Sequence, residues 1–174
     1  MCTILLTGER GSGKSTIIKK FLDFFLKESI PLLGFLTRIE KKSHNERLLI
    51  FKTIGIIKTE LIVAKGDNTS MSPEPGGFDK AAELLRQFKI EGNTLVIDEI
   101  GYLESECINF QQEVFRLISS SEFAIVGLRK MRTPFLDKIK NIAVSELIDV
   151  TPENRDNIFE RIIEKYWKNY ILNQ

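Results

Sequence analysis

Eight residues near the start of the chain restrict its fold more than any other feature. Gly8-Glu9-Arg10-Gly11-Ser12-Gly13-Lys14-Ser15 has the spacing Gly-x-x-x-x-Gly-Lys-Ser, the Walker A pattern, and Thr16 follows it. Thr3 to Thr7, just before it, is an apolar run with the look of a short buried strand. Just after it, Ile17, Ile18, Phe21, Leu22, Phe24 and Phe25 recur at helical spacing on one broad face. Glycines in such a loop let successive backbone N–H groups turn inward around phosphate oxygens. The helix opening near Lys14 adds its positive end at the same spot. Gly8, Glu9, Arg10, Gly11, Ser12, Gly13, Lys14, Ser15 and Thr16 are therefore the expected nucleotide-binding segment. Within it Lys14 is expected to reach the β- and γ-phosphates, the Ser15 hydroxyl to ligate Mg²⁺, and Thr16 to contact the α-phosphate.

A phosphate loop of this kind needs an acid at the end of a neighbouring buried strand. Thr94-Leu95-Val96-Ile97 reads as that strand, with Asp98 and Glu99 at its carboxyl end. Asp98 is expected to hold the metal shell and Glu99 to orient and deprotonate an attacking water, so Lys14 and Glu99 are the catalytic candidates. In small kinases a carboxylate hereabouts holds an acceptor hydroxyl instead, and that alternative stays open.

The remaining pattern places these motifs in an α/β fold. Gly34–Ile39, Leu48–Ile57 and Thr59–Ala64 read as an antiparallel meander inserted after the first helix, with His44 in the polar turn Lys41–Glu46. Lys65 to Phe78 is rich in Gly, Asp, Asn, Ser and Pro and reads as a long loop, either a binding loop or a plain surface connection. Asp79–Phe88 is a short helix. After the acidic pair come a helix at Ile108–Ser119, a strand at Phe123–Gly127, a helix at Pro134–Lys140, a strand at Glu146–Val150 and a last helix from Pro152 to Ile171. Thr151 is placed to cap that last helix with Pro152 at its first position. Strands alternating with helices predict a mostly parallel sheet covered on both faces.

Composition removes several classes of function. The 174 residues are 43% apolar and 28% charged, as expected of a single globular domain spanning 1–174. The 25 Lys and Arg against 24 Asp and Glu leave a net charge of +1, so no broad basic surface for nucleic acid is expected. Cys2 and Cys107 have neither pairing rhythm nor metal-ligand spacing, which suits a cytoplasmic protein. His44 is the only histidine. No apolar run is long enough to span a membrane, and the N-terminus lacks the basic flank of a signal peptide.

The Walker A segment together with Val96-Ile97-Asp98-Glu99-Ile100-Gly101-Tyr102-Leu103-Glu104 resembles the small P-loop nucleoside-triphosphatases of thermophiles, whose vertebrate relative is called the cancer-related nucleoside-triphosphatase. Gly34-Phe35-Leu36-Thr37-Arg38 and Val150-Thr151-Pro152-Glu153-Asn154-Arg155-Asp156 resemble further segments of that family. The resemblance implies a RecA-like fold. It also implies slow, Mg²⁺-dependent hydrolysis of ATP, GTP and other nucleoside triphosphates to diphosphate and phosphate, with broad base tolerance. Two stretches depart from the family pattern, Leu128-Arg129-Lys130-Met131-Arg132 and the loop from Asp67 to Gly77. Arg129, just after a strand, is either a cis arginine facing the γ-phosphate or a surface charge. Asn154 and Arg155 either approach the base or hold the last helix, and Tyr102 and Trp167 read as packing residues. A kinase and a nucleotide-dependent switch are the alternatives to hydrolysis.

Overall fold

Thr3, Ile4, Leu5 and Leu6 are all fully buried along β1 (Cys2–Thr7), so both faces of that strand must be covered. The computed structural model, which describes residues 2–55, 57–142 and 146–172, shows how. β1 lies parallel between β7 (Phe123–Leu128) and β8 (Glu146–Asp149). β7 runs parallel to β6 (Thr94–Ile100), and β6 to β2 (Leu32–Ser43). From β2 outward the pairing turns antiparallel through β3 (Glu46–Ile54), β4 (Glu60–Gly66) and β5 (Met71–Pro73). Among the described residues the strand order is β5-β4-β3-β2-β6-β7-β1-β8.

Alternation along the strands divides the core in two. Ile4 and Leu6 face α1 (Lys14–Lys27) and α5 (Arg155–Ile162), joining Ile17, Phe21, Phe25, Ile158 and Trp167. Leu5 faces the opposite layer, where α2 (Gly77–Arg86), α3 (Ile108–Ser120) and α4 (Pro134–Lys140) bring in Leu85, Phe110, Val114 and Leu136. Trp167 is packed among Phe25, Phe123 and Tyr170 with ring centroids 4.9, 4.9 and 5.3 Å away. It is a core residue, as its isolation in the sequence suggests. Among the described residues no helix is long and apolar enough to cross a membrane.

The three strands after α1 form the expected antiparallel meander, β2 through β3 to β4, and β2 also joins the parallel half through its pairing with β6. Four expectations need correction. The expected run Leu48–Ile57 ends as a strand at Ile54, and Ile56 lies outside the described residues. The segment Lys65–Phe78 is not structureless. β4 turns back into β5 because the Asp67 carboxylate accepts from the Thr69 and Ser70 amides at 2.7 and 2.9 Å and from the Thr69 hydroxyl at 2.6 Å. Those three donors hold the Asp67 carboxyl down at about 2. Pro73 sits on the outermost strand, where its missing N–H costs nothing.

The third correction concerns β6, which runs three residues beyond Ile97 to Ile100, through the acidic pair. The fourth is the last helix, which opens at Arg155 and not at Pro152. The Asn154 carboxamide closes the preceding turn, accepting from the Thr151 amide at 2.9 Å and donating to the Asp149 carbonyl at 2.8 Å. The helix then passes through a π-helical turn at Ile163–Trp167 into α6 (Lys168–Leu172). His44 is an exposed turn residue between β2 and β3, as expected.

Candidate active site

The site is assembled where β1, β6, β7 and β8 all end on the same rim of the sheet. After β1 the chain passes through Gly8, Gly11 and Gly13, each with positive φ, before α1 begins. Gly13 has φ 110° as the helix cap, and a Cβ there would meet the Arg155 side chain at 3.0 Å. The start of α5 thus packs closely against the start of α1, and the φ of 110° favours glycine at that point. Glu9, Arg10, Gly11, Ser15 and Thr16 are exposed around the loop, while Ser12 and Lys14 are buried. The Ser12 hydroxyl is buried with no hydrogen-bond partner.

Lys14 is folded onto its own loop. Its ammonium donates to the Gly8 carbonyl at 2.9 Å and to the Glu9 carbonyl at 3.1 Å, and lies 3.4 Å from the Glu99 carboxylate. The side chain is only 4% exposed, so those partners replace most of its hydration.

Asp98 and Glu99 would point to opposite faces of a regular strand. A register shift prevents this: Ile97 pairs with Val126, yet Ile100 pairs with Leu128, so two acids on β6 oppose one residue of β7. The residue opposite the bulge is Gly127, where a Cβ would come within 1.7 Å of the Asp98 carbonyl oxygen. The bulge sends Glu99 toward Lys14 and Asp98 toward Ser15. Asp98 is 8% exposed, and burial pushes its carboxyl up, with hydrogen bonds from the Ser15 hydroxyl and the Thr37 amide opposing and the charge of Glu99 reinforcing. Its Oδ1 is buried without a partner.

An orphaned carboxylate oxygen beside a serine hydroxyl is the donor chemistry that suits a hard divalent cation. Among the described residues no three His, Cys, Asp or Glu side chains gather as a metal site. Ser15 and Asp98 on their own donor chemistry fit a divalent cation that also takes ligands from outside the protein.

Sequence reasoning left Arg129 undecided and did not single out Glu104. Arg129 follows β7, donates its amide to the Ile100 carbonyl at 2.9 Å, and holds its guanidinium 5.1 Å from the centre of the Tyr102 ring. Among the described residues no carboxylate lies within ion-pairing distance of it. Glu104 is 4% exposed and accepts from the Gly101 amide at 3.0 Å. Burial pushes its carboxyl up to about 7, against the pull of Arg129. Ser15, Asp98, Glu99, Glu104 and Arg129 line one cavity of about 200 Å³. The only advance signal for Glu104 is its place in the run that starts at Val96. Loop residues after a strand carry no periodicity that would show burial. A second cavity of about 240 Å³ lies beyond the loop, lined by Gly13, Thr16, Ile17, Lys20, Arg155 and Asp156. Arg155 thus reaches the loop side, while Asn154 is occupied within its own turn.

Comparison with known proteins places the chain in a family. A family model described as NTPase matches residues 3–163. The nucleoside-triphosphatase THEP1 of Natranaerobius thermophilus is 32% identical over 172 residues, covering 93% of this chain and 94% of that protein. Its counterpart from Thermotoga maritima is 28% identical over 172 residues, with 92% of each covered. The crystal structure of THEP1 from Aquifex aeolicus has a TM-score of 0.61 at 24% identity, over 93% of this chain and 97% of that one. The solution structure of a human cancer-related nucleoside triphosphatase has a TM-score of 0.74 at 22% identity, over 94% and 96%. Both share the P-loop fold, a mostly parallel sheet flanked by helices and extended by antiparallel strands. The family match takes in the sheet from β1 to β8, and the chain belongs to the NTPase family, enzymes that hydrolyse nucleoside triphosphates.

Proposed function

We propose that this protein cleaves nucleoside 5'-triphosphates to diphosphate and phosphate in a Mg²⁺-dependent reaction with broad base tolerance, in the cytoplasm. The observation that carries the reading is the β6 bulge, which turns Glu99 toward Lys14 at 3.4 Å and leaves the Asp98 Oδ1 unpartnered beside Ser15. Backbone amides of Gly8 to Thr16 and the start of α1 grip the phosphates. Lys14 exchanges the Gly8 and Glu9 carbonyls for the more negative phosphate oxygens and loosens its hold on Glu99. Glu99 then accepts the proton of a water aligned with the γ-phosphorus. Ser15 and Asp98 would hold Mg²⁺, which would supply positive charge beside the phosphate oxygens. Arg129, held over Tyr102, stabilises charge that develops as the bond to the leaving oxygen lengthens.

The base is held beside Arg155, in the cavity next to Gly13 and Thr16. Arg155 and the stem of Lys20 offer stacking and apolar contact there. The Asn154 carboxamide is anchored to Thr151 and Asp149 within its own turn, which limits its reach to base edges. That is the physical basis for base tolerance.

Phosphate release from ATP, GTP, CTP and UTP, with and without EDTA, tests the reading on wild type, Lys14→Ala, Glu99→Gln and Arg129→Ala proteins. All four triphosphates are hydrolysed by the wild type, and EDTA stops the reaction. Glu99→Gln retains nucleotide binding but slows turnover by about 10²–10⁴. Arg129→Ala slows it by about 10³. A Glu99→Gln protein that binds nucleotide and turns over at the wild-type rate removes the general base, and a fully active Lys14→Ala protein removes the site.

A further inference from the structure

Ser15 and Asp98 face a second, much larger space. A groove of about 970 Å³ starts at these two residues and runs back along the flank of α1. One wall is Ile18, Leu22 and Leu26 of α1, and the other is Leu32, Leu36 and Ile54 of β2 and β3. It exists because the helix layers are unequal. α2 and α3 cover the opposite face of β2 to β4, whereas α1 packs on β6, β7 and α5 and leaves its own side of β2 and β3 only partly covered. At its outer end Leu26 is 67% exposed.

Hydrolysis does not account for this groove. A water molecule takes roughly 30 Å³, and about 970 Å³ is at the upper end of the range for sites that enclose a whole small molecule. Its inner walls are aliphatic, the exposed side chains of Lys19, Asp23, Arg38, Lys52 and Lys58 border it, and the end next to the phosphate loop is polar, with Ser15, Thr37 and Asp98. A ligand matching that polarity has an apolar body and a single polar group placed beside the γ-phosphate.

We propose that the groove holds a second substrate, a small molecule with an apolar body and a terminal hydroxyl, which takes the γ-phosphoryl group in competition with water. The hydroxyl oxygen forms a bond to the γ-phosphorus as the bond from that phosphorus to the β,γ-bridging oxygen breaks. The nucleoside diphosphate leaves with the bridging oxygen, and the hydroxyl proton passes to Glu99. The inference rests on the hydrolytic reading for the position of the γ-phosphate and for Glu99 as the base. It adds the acceptor and its site. Hydrolysis is then the outcome when the groove holds water.

Straight-chain alcohols from methanol to octanol are the probes. Each is added with ATP and Mg²⁺, and alkyl phosphate is measured against inorganic phosphate by phosphorus NMR. At alcohol concentrations below saturation, the ratio of alkyl to inorganic phosphate rises about fourfold for each methylene that enters the groove. Leu22→Lys, which puts an ammonium on the wall, flattens that dependence while phosphate release without alcohol stays at the wild-type rate. Leu36→Ser serves the same purpose if Leu22→Lys does not fold. Absence of alkyl phosphate, or an equal ratio for methanol and octanol, overturns the proposal, as does an undiminished chain-length dependence in the folded groove variant. The hydrolytic reading fails separately: Glu99→Gln would then release phosphate at the wild-type rate, whatever the alcohol series shows.

Discussion

Glu104 is a carboxyl that the fold keeps out of water, with backbone hydrogen bonds from its own amide and from Gly101, and the positive field of Arg129, as partial compensation. Its folded value of about 7 lies above the ordinary 4.5. Below pH 4.5 both folded and unfolded chains hold the proton, and Glu104 has no effect on the pH dependence of stability. Between 4.5 and 7 the unfolded chain releases it first, so the folded state binds more protons and stability falls as pH rises. Above 7 the loss is complete, at about 3 kcal/mol. Glu104→Gln keeps the acceptor for Gly101 and removes the titration. Urea unfolding at pH 5 and pH 8 should therefore show the Gln variant gaining about 2 kcal/mol on the wild type at the higher pH. An equal difference at both values would show that Glu104 titrates normally. Lys14, Ser15 and Asp98 were legible in advance because phosphate and metal chemistry fixes residue type and spacing. Glu104 was not, because its burial depends on how the Gly101–Cys107 turn folds back between β6 and α3.

At the scale of elements, the proposed chemistry depends on where β6 departs from regularity. Asp98 and Glu99 turn toward Ser15 and Lys14 from one strand because two residues oppose one, and the bulge needs space that Gly127 provides. Gly127→Ala puts a methyl group where the Asp98 carbonyl stands, 1.7 Å away, so either β7 shifts or the bulge is lost. The expected cost is about 2–4 kcal/mol of stability together with loss of phosphate release, read by urea unfolding and by turnover on the same samples. A variant with both properties intact would mean that Asp98 and Glu99 do not depend on the bulge. Sequence pattern located every element that the core needs, since Leu95 to Ile97 and Ile108 to Ser119 carry clear apolar rhythm. It misjudged ends set by side-chain hydrogen bonds. Asn154 displaced the start of α5 from Pro152 to Arg155, and Asp67 folded a loop-like segment into the β4–β5 hairpin.

For the whole molecule, the rim of the sheet gathers four connections whose native contacts to one another are few and mostly polar. The β1–α1 loop, the end of β6, the end of β7 and the β8–α5 turn meet there through the Lys14–Glu99 pair, the Arg129–Tyr102 contact and the close approach of Arg155 to Gly13. A triphosphate bound at this rim contacts the native chain only, because unfolding disperses the four segments. Binding must then raise stability by mass action. At a triphosphate concentration about 100 times its dissociation constant the gain is about 2.7 kcal/mol. In a chain of this size that is a rise of roughly 5–10 °C in Tm. Lys14→Ala should unfold near the wild-type temperature without nucleotide and show little of the increase, since its loss removes the buried ammonium proposed to hold the phosphates. Leu22→Lys, far along α1 from the loop, should retain the full increase. Differential scanning fluorimetry of the three proteins across a range of triphosphate concentrations makes the comparison, and an undiminished shift in Lys14→Ala would place nucleotide binding away from this rim.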